Sequence, residues 1–296
     1  MPPVVAVVGA TATGKSDLGV ALAQALGGEV VNADSMQLYR GMDVGTAKLT
    51  PAQRGGVAHH LLDVWDVTHT ATAAEYQQLA RAVIDDLLAR GITPVLVGGS
   101  GLYLRAALDE LSFPATDPEL RATLEAELEQ NGALALHARL AALDAAAATR
   151  MQPTNGRRVV RALEVVLLTG AMPGEMTSYD AHYDVHYLGL DRDDLAARTD
   201  ERVDRMWAAG LVDEVRALEQ QGLRDGITAS RALGYAQVLA MLDGSTTEAE
   251  AIETTKVATR RFVRRQRAWF RRDPRIRWLD PDEDLLTQGM TVVSSK

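Results

Sequence analysis

The hydrophobic positions of the chain form short continuous runs that alternate with helical patterns. Val4 to Val8, Glu29 to Ala33 and Ile92 to Val97 are short apolar runs rich in β-branched residues. Such runs are typical of parallel strands buried on both faces. A helix-forming stretch from Asp17 to Leu26 follows the first run, and an amphipathic one from Ala73 to Arg90 precedes the third. The alternation predicts an α/β fold with a central, mainly parallel sheet flanked by helices.

The middle of the chain has a different pattern. From Asp117 to about Leu168 it is rich in alanine, leucine and glutamate, breaks at Asn131-Gly132 and at residues 152–156, and contains no candidate strand. This composition predicts helices. We therefore expect an all-helical insertion domain at residues 117–182, carried on a core of residues 1–116 and 183–296. The core resumes with a predicted strand at 184–190 and predicted helices at 192–209, 211–221, 230–243 and 247–270.

The residues directly after the first strand have the G-x-x-x-x-G-K-[ST] spacing of a phosphate-binding loop. They are Gly9, Ala10, Thr11, Ala12, Thr13, Gly14, Lys15 and Ser16. Glycines let successive N–H groups converge on an anion, and the next helix directs its positive end there. Lys15 supplies a charge for the terminal phosphate, and the Ser16 hydroxyl is placed to hold Mg²⁺. An incidental glycine turn is the alternative, but the flanking strand and helix favour a phosphorylated ligand and a P-loop NTPase-like core.

Asp34 follows the second strand, at the edge of the sheet where α/β proteins bind ligands. Position alone leaves its role open. A carboxylate here could cap a helix, act as a general base or bind magnesium. Residues 35–48 carry many functional side chains without periodicity, which indicates a ligand-facing loop. His59 and His60 are not expected to bind metal, because adjacent residues on an extended segment point in opposite directions and no further ligand has suitable spacing.

A second glycine-rich turn, Gly98-Gly99-Ser100-Gly101, follows the third strand. It is either a tight connection to the next helix or a second anion cradle in which Ser100 donates a hydrogen bond. P-loop NTPases usually end a later strand in a magnesium-binding Asp, but this strand ends in glycine and no other predicted strand ends in a suitable acid. The phosphate site is therefore predicted to serve a reaction other than γ-phosphoryl transfer.

Composition narrows the class of protein. Hydrophobic residues make up 47% of the 296 positions and aromatic residues only 5%, so the core is built mainly from alanine, leucine and valine. The sequence has no cysteine, which excludes disulfides, a thiol nucleophile and thiolate zinc sites. The amino-terminal stretch has neither a basic region nor a long apolar segment, so a soluble cytoplasmic protein is expected. A monomer is expected as well, because no apolar helix stripe is left unassigned.

The net charge of −9 conceals a segregation of charge near the carboxyl end. The last predicted helix carries Lys256, Arg260, Arg261, Arg264, Arg265, Arg267, Arg271 and Arg272, with no acid between them. Their spacing places several on one helix face, a stripe suited to a phosphodiester backbone. A membrane surface is the alternative, but the helix lacks a broad apolar side. A smaller group, Arg150, Arg157, Arg158 and Arg161, is either a solvated face or a further RNA contact.

These segments closely resemble the tRNA dimethylallyltransferases, also called tRNA isopentenyltransferases or the IPP transferase family. The resemblance runs nearly end to end and rests on several independent motifs. They are Gly9 to Ser16, Asp34 to Lys48, His59 to Asp63, Val97 to Tyr103, Arg158 to Glu164, Arg231 to Tyr235 and Arg264 to Phe270. The second of these motifs is far more specific than a phosphate loop alone.

The resemblance implies transfer of the dimethylallyl group from dimethylallyl diphosphate to N6 of adenosine 37 in tRNA. The phosphate loop is implied to hold the diphosphate with Mg²⁺ rather than ATP, with Ser16 and Ser100 at the metal. Asp34 matches the family's general base, and Arg231 matches the arginine that neutralises the departing diphosphate. The implied contacts to the tRNA anticodon stem-loop are Ser35, Met36, Gln37, Arg157, Arg158, Arg161, Arg261, Arg264 and Arg265. Gln37 is the residue implied to touch the target base.

Two positions depart from the family pattern. Ser100 stands where relatives usually have Thr, and Thr154-Asn155-Gly156 stands where they commonly have an Asn-Asp pair followed by a basic residue. Two other functions compete with tRNA prenyl transfer. A P-loop kinase would need a magnesium-binding Asp at a strand end and no basic stripe, and prenyl transfer to free adenine nucleotides would need neither the insertion nor the stripe. The sequence therefore favours tRNA as the acceptor.

Overall fold

The computed structural model describes residues 2–173 and 178–295. Within these residues six strands form one parallel sheet, in the order β3-β2-β4-β1-β5-β6. The strands are β1 (Val4–Gly9), β2 (Glu29–Asn32), β3 (His59–His60), β4 (Pro94–Gly98), β5 (Val185–Leu190) and β6 (Arg277–Leu279). The predicted α/β fold with a central parallel sheet is confirmed. The apolar run from Val4 to Val8 becomes the central strand because β4 and β5 cover both of its edges.

Helices connect and cover the strands. They are α1 (Lys15–Leu26), α2 (Ala73–Ala89), α3 (Gly101–Leu108), α4 (Pro118–Leu143), α5 (Ala145–Thr149), α6 (Gly156–Thr169), α7 (Leu195–Ala208), α8 (Leu211–Glu219), α9 (Tyr235–Leu242), α10 (Glu248–Phe270) and α11 (Leu285–Ser294). The main apolar core joins α1 to the sheet through Leu18 and Leu22, and the partly buried Met290 of α11 packs against it. None of the helices in the described residues is long and apolar enough to cross a bilayer.

The chain divides into two compact units. One combines Met1–Glu110 with Asp180–Lys296 and contains the whole sheet, while the other is Leu111–Tyr179. The second unit contains α4, α5 and α6, which enclose their own core of leucine, valine and alanine side chains. The backbone of α4 leaves helical geometry at Gly132, with φ 78° and ψ 165°, at one of the breaks seen in the sequence. Asn155 caps α6, since its Oδ1 accepts the backbone N–H of Arg158 at 3.3 Å.

Several element predictions were wrong in detail. The sequence predicts one helix at residues 230–243, whereas Ala229–Arg231 forms a short 3₁₀ turn and α9 begins only at Tyr235. Neither β6 nor α11 is predicted. The three residues of β6 are too few to produce an apolar run, and the first two are exposed. The amphipathic helix predicted from Ala73 to Arg90 is present as α2, and its buried face runs through Tyr76, Ala80 and Ile84.

Candidate active site

A cavity lies at the carboxyl edge of the sheet, where the chain leaves β1 and β2. Its lining includes Thr11, Lys15, Ser16, Asn32, Asp34, Gln37, Ala47, Leu49, Val97, Gly98 and Arg202. The structure therefore brings together the phosphate loop, Asp34 and Gln37, which the sequence had selected separately. A larger, more open cavity shares Lys15, Ser16 and Arg202 with the first. It adds Arg198 and Arg205 of α7 to the lining.

Hydrogen bonds within the phosphate loop fix its shape. The Thr13 hydroxyl donates to the Ala10 carbonyl at 2.9 Å, and Lys15 Nζ donates to the same oxygen at 3.0 Å. Arg198 Nε donates to the carbonyl of Ala12 at 2.9 Å. Ala12 has a positive φ of 66°, so this bond holds a backbone conformation that an L residue rarely adopts. Hydrogen bonds from within the protein therefore hold the loop in this shape.

Lys15 is a half-buried cation that forms no ion pair with a carboxylate in the described residues. The pKa of Lys15 is lowered to about 8, mainly by burial and in addition by the positive charge of Arg202, while the Asp34 carboxylate opposes this shift. Burial likewise lowers the pKa of Arg202, which Asp34 opposes. Two desolvated cations beside one carboxylate favour a bound polyanion, because an anion would supply the missing countercharge.

Asp34 is held by its neighbours in an Asx-type turn. Its backbone N–H donates to Asn32 Oδ1 at 3.0 Å, and its own Oδ1 accepts the N–H of Met36 at 2.9 Å. Asn32 Nδ2 in turn donates to the carbonyls of Asp34 and Leu61. No helix begins in residues 35–48, so the capping role is excluded for Asp34. Within the described residues, Oδ2 of Asp34 receives no hydrogen bond, which leaves this oxygen available to accept a proton.

The loop after Asp34 is anchored by a carboxylate from α8. Glu214 accepts the backbone N–H groups of Asp43, Val44 and Gly45 at 2.6–3.1 Å. The same carboxylate accepts the hydroxyl of the buried Tyr235 at 2.6 Å. Sequence reasoning singled out neither Glu214 nor any other anchor, because the contact joins residues about 170 positions apart.

A buried lysine closes the other end of the loop. Lys48 Nζ lies 2.6 Å from Asp43 Oδ1 and from Asp63 Oδ1, and only 3% of its side chain is exposed. Leu38, Tyr39 and Met42 are fully buried, so the segment contributes to the core as well as to the cavity. Gln37 faces the cavity, where its Nε2 donates to the Thr46 carbonyl at 3.1 Å.

Ser100 connects the second glycine turn to the residue after Asp34. Its Oγ accepts the N–H of Ser35 at 3.1 Å and lies 3.2 Å from the Ser35 hydroxyl. Gly98, which begins the turn, lines the cavity. The turn therefore stands beside the phosphate loop, as neighbouring strands β1 and β4 require.

The structure places Arg202, rather than Arg231, at the cavity. Arg231 is exposed on a 3₁₀ turn and lines neither cavity, whereas Arg202 of α7 lines both. Arg202 Nη2 donates to the Thr46 carbonyl at 3.1 Å, the same oxygen that Gln37 uses. The only signal in the sequence was the spacing of Arg198, Arg202 and Arg205, which puts three arginines on one face of a helix.

An acid at a strand end was also overlooked. Asp191 directly follows β5, next to the central strand. Its carboxylate is already bound, because Arg267 Nε and Arg271 Nη2 each lie 2.9 Å from it. The two arginines neutralise Asp191, which therefore differs from a magnesium-binding acid that faces a nucleotide.

The oxygen donors in the cavity fit a metal that arrives with its ligand. Mg²⁺ is commonly held by one or two protein oxygens together with substrate phosphates. The Ser16 hydroxyl and the Asp34 carboxylate line the same cavity, while the described residues contain no cluster of three acidic or histidine side chains suited to a metal. His60 Nε2 instead lies 2.6 Å from Glu29 Oε2, and His59 Nδ1 lies 2.9 Å from the Val57 carbonyl.

The basic stripe on α10 divides into two faces. The inner face is paired with acids from α7 and the strand end: Lys256 with Asp204, Arg260 with Asp200, and Arg267 and Arg271 with Asp191. The expectation of an uncompensated stripe was therefore wrong for this face. The outer face consists of Arg261, Arg264 and Arg265, which are exposed and have no ion pair to any acid in the described residues.

The arginines of the helical unit also serve different purposes. Arg161 Nη1 binds the buried Glu164 at 2.7 Å, and its Nη2 donates to the Pro114 carbonyl at 2.8 Å. Arg121 binds the same carboxylate, so Arg161 has a structural role within this unit. Arg157 and Arg158 are exposed on the first turn of α6.

Comparison with known proteins identifies relatives of this chain. The family model described as IPP transferase matches residues 37–273. A tRNA dimethylallyltransferase of Thermobifida fusca is 62% identical over 302 residues, covering 99% of this chain and 95% of the relative. One of Streptomyces coelicolor is 66% identical over 281 residues, covering 94% and 90%.

Solved structures give the same picture. The tRNA isopentenylpyrophosphate transferase of Bacillus halodurans superposes with a TM-score of 0.73 at 41% identity, covering 99% of this chain and 95% of that one. A eukaryotic dimethylallyltransferase, described as acting on tRNA, superposes with a TM-score of 0.80 at 27% identity, covering 99% of this chain and 77% of that one.

Proposed function

This chain belongs to the IPP transferase family, and from that premise we propose that it transfers the dimethylallyl group of dimethylallyl diphosphate to N6 of adenosine 37 in tRNA. The products are N6-isopentenyladenosine and diphosphate. The names of the relatives support prenyl transfer to tRNA. The observation that carries the finer proposal is that one cavity is lined by part of the phosphate loop, including Lys15, by Arg202 and by the Asp34 carboxylate.

The diphosphate binds to the phosphate loop of residues 9–16. The helix α1 begins at Lys15, so its positive end faces the anion together with the Lys15 ammonium. Arg202 supplies the second cation, in the role that the sequence assigned to Arg231. We propose that Ser16, with Ser100 nearby, helps hold Mg²⁺. When bound, Mg²⁺ would neutralise negative charge on the diphosphate oxygens.

The chemical step uses Asp34 as the base. The N6 nitrogen of the adenosine attacks C1 of the prenyl group, and the bond from C1 to the diphosphate oxygen breaks, with its electron pair passing to the diphosphate. Asp34 takes the proton that N6 loses. This help matters because the N6 lone pair is delocalised into the ring, which makes the nitrogen a poor nucleophile. Lys15 and Arg202 stabilise the negative charge that develops on the leaving group.

The acceptor adenosine must leave its stack to reach this cavity, a form of base flipping. Gln37 is then placed to contact the base, with Ser35 and Met36 beside it. The outer face of α10, formed by Arg261, Arg264 and Arg265, would bind phosphates of the anticodon stem-loop and position it. Arg157 and Arg158 would do the same from the helical unit. We propose that the protein acts as a monomer.

The decisive assay gives the purified protein Mg²⁺ and radiolabelled dimethylallyl diphosphate, with either an anticodon stem-loop containing adenosine 37 or free AMP. Label in the RNA alone is the expected result. Label on AMP would instead indicate the class that modifies free adenine nucleotides. Label on neither, together with ATP hydrolysis in a parallel reaction, would show that the phosphate loop serves a nucleotide.

A further inference from the structure

Two separate loops must be held in register for the proposed diphosphate site to exist. The phosphate loop follows β1, and the turn Gly98 to Gly101 follows the neighbouring strand β4. Parallel pairing fixes the strands, but beyond their ends the backbone ladder stops and the loops need another connection. Gln266, on the buried side of α10, supplies this connection.

Gln266 bridges the two loops with both ends of one amide. Its Oε1 accepts the backbone N–H of Thr11 at 3.0 Å, and its Nε2 donates to the carbonyl of Gly99 at 2.9 Å. The orientation of the amide is unambiguous, because a backbone N–H can only donate and a carbonyl can only accept. Gln266 is 6% exposed, so water does not compete for either bond.

The second turn is shaped around this contact. A Cβ added at Gly99 would overlap Nε2 of Gln266, and one added at Gly101 would overlap the indole of Trp269, one turn further along α10. Glycine at these two positions therefore lets α10 approach the backbone of the turn directly. The residues directly before and after Ser100 therefore both pack against side chains of α10.

We infer that Gln266 is a positioning residue that holds the phosphate loop and the Ser100 turn as one diphosphate cradle. The inference rests on the proposed function, because it concerns the ligand of that same site. Since the Thr11 N–H is bound by Gln266, it is withheld from the anion, and the remaining loop amides are presented in a fixed arrangement. Anion sites depend on such preorganisation, because donors must lie within about 0.5 Å of their productive positions.

The test measures binding of inorganic diphosphate with Mg²⁺ to the full-length protein by calorimetry, without RNA. Gln266→Met keeps the size of the side chain but removes both hydrogen bonds, and we expect the Kd to rise at least tenfold. Gln288→Met is the matched control. Gln288 of α11 bridges the N–H and the carbonyl of Asp280 in the same manner, outside both cavities, so its loss should leave the Kd unchanged.

Gln266→Glu provides a second measurement that a merely structural role would not affect. An ionised carboxylate can accept from Thr11 but cannot donate to Gly99, whereas a protonated one can do both. The ratio of the variant Kd to the wild-type Kd should therefore fall as the pH is lowered from 8 to 6. If Gln266→Met does not fold, the pH dependence of Gln266→Glu is sufficient to test the inference.

The outcomes separate the two proposals. Wild-type binding with a Kd raised tenfold in Gln266→Met, and a pH-dependent ratio in Gln266→Glu, would support the positioning role. Wild-type binding that both variants retain within twofold at every pH would overturn it and leave the proposed function standing. A wild-type protein that does not bind diphosphate would overturn the proposed function and the inference together.

Discussion

The cavity and the outer face of α10 are both proposed to bind a phosphorylated ligand through cations, but they are built in opposite ways. In the cavity, Lys15 and Arg202 are half-buried, and each is fixed by a hydrogen bond to a backbone carbonyl. On the outer face of α10, Arg261, Arg264 and Arg265 are exposed and have no acid partner in the described residues. The first arrangement suits a small anion held in a fixed position, and the second suits an extended one that lies across an open surface.

The difference predicts how each region responds to change. Charges on half-buried side chains interact more strongly than exposed ones because less water surrounds them, so one substitution in the cavity should have a large effect. Exposed charges are screened, so their effects should be small individually and should depend on salt. The following substitutions test this contrast, from the largest expected effect to the smallest.

Replacing Asp34 with Asn should lower single-turnover prenyl transfer about 10²- to 10⁴-fold, the usual contribution of a general base. The amide can still accept the N–H of Met36, so the turn should survive and stem-loop affinity should not change. Asp66→Asn removes an exposed carboxylate paired with Arg40 and is the control. Near-normal turnover of Asp34→Asn would exclude this residue as the base.

Replacing Arg202 with Met should weaken diphosphate binding roughly 10- to 100-fold, as expected for the loss of charge-assisted hydrogen bonds. Calorimetry with inorganic diphosphate and Mg²⁺ measures the change. Arg231→Met is the matched comparison, because this arginine is exposed outside both cavities. A larger loss for Arg231→Met than for Arg202→Met would restore the assignment made from sequence.

The cavity should also respond to pH through Lys15, whose pKa in the ligand-free protein is about 8. Lys15 is mostly charged below this pH and mostly neutral above it, so diphosphate affinity should fall as the pH rises, by about fivefold between pH 8 and 9. Titration of Lys15→Met corrects for ionisation of the diphosphate itself. Because the charge of Arg202 lowers the pKa of Lys15, the midpoint should move upward in Arg202→Met. A pH profile of the wild type that parallels that of Lys15→Met would contradict the assignment.

Replacing Arg261, Arg264 and Arg265 together with Gln should weaken stem-loop binding and reduce the slope of log K against log salt by about 2 to 3, since each lost phosphate contact removes roughly 0.7 to 0.9. The matched triple variant changes Arg90, Arg216 and Arg224, which are exposed but paired with acids. It removes the same charge and should leave the slope nearly constant. Equal slopes for the two triple variants would mean that the outer face of α10 does not meet RNA.

The smallest effect is expected on the inner face of the same helix. Arg267→Gln breaks the ion pair with Asp191 but leaves Arg271 in place, so stability should fall by about 0.5 kcal/mol, as for other partly exposed pairs. Denaturant unfolding measures the loss. The salt dependence of stem-loop binding should not change, and a clear reduction would mean that both faces of α10 contact RNA.

Local patterns were sufficient to predict much of the cavity. The apolar runs predict β1, β2 and β4 because a buried parallel strand leaves a continuous hydrophobic segment, and alternation of apolar and polar residues predicts β5. The loop of residues 9–16 and Asp34 then follow from their places at strand ends. These features depend on residues close together in sequence, so no tertiary information is needed to find them.

The residues that were missed act across the sequence. Arg202 reaches the Thr46 carbonyl 156 positions away, and Gln266 reaches Thr11 across 255 positions. Gln266 does not stand out within its helix, and the only local signal for Arg202 is its helical spacing with Arg198 and Arg205. The same limitation explains why the basic stripe on α10 was expected to lack acid partners. The acids that pair with its inner face lie on α7 and directly after β5, far away in the sequence. A sequence shows which charges cluster, but only packing shows which of them are paired.

The order of strands across the sheet has a consequence for synthesis of the chain. β1 is made first and is entirely apolar, yet its second neighbour, β5, is reached only after the helical unit has been translated. Until then, one edge of the most hydrophobic strand has no partner, and such edges promote association between chains. Nascent chains in which β5 has not yet left the ribosome should therefore need chaperones more than those in which it has.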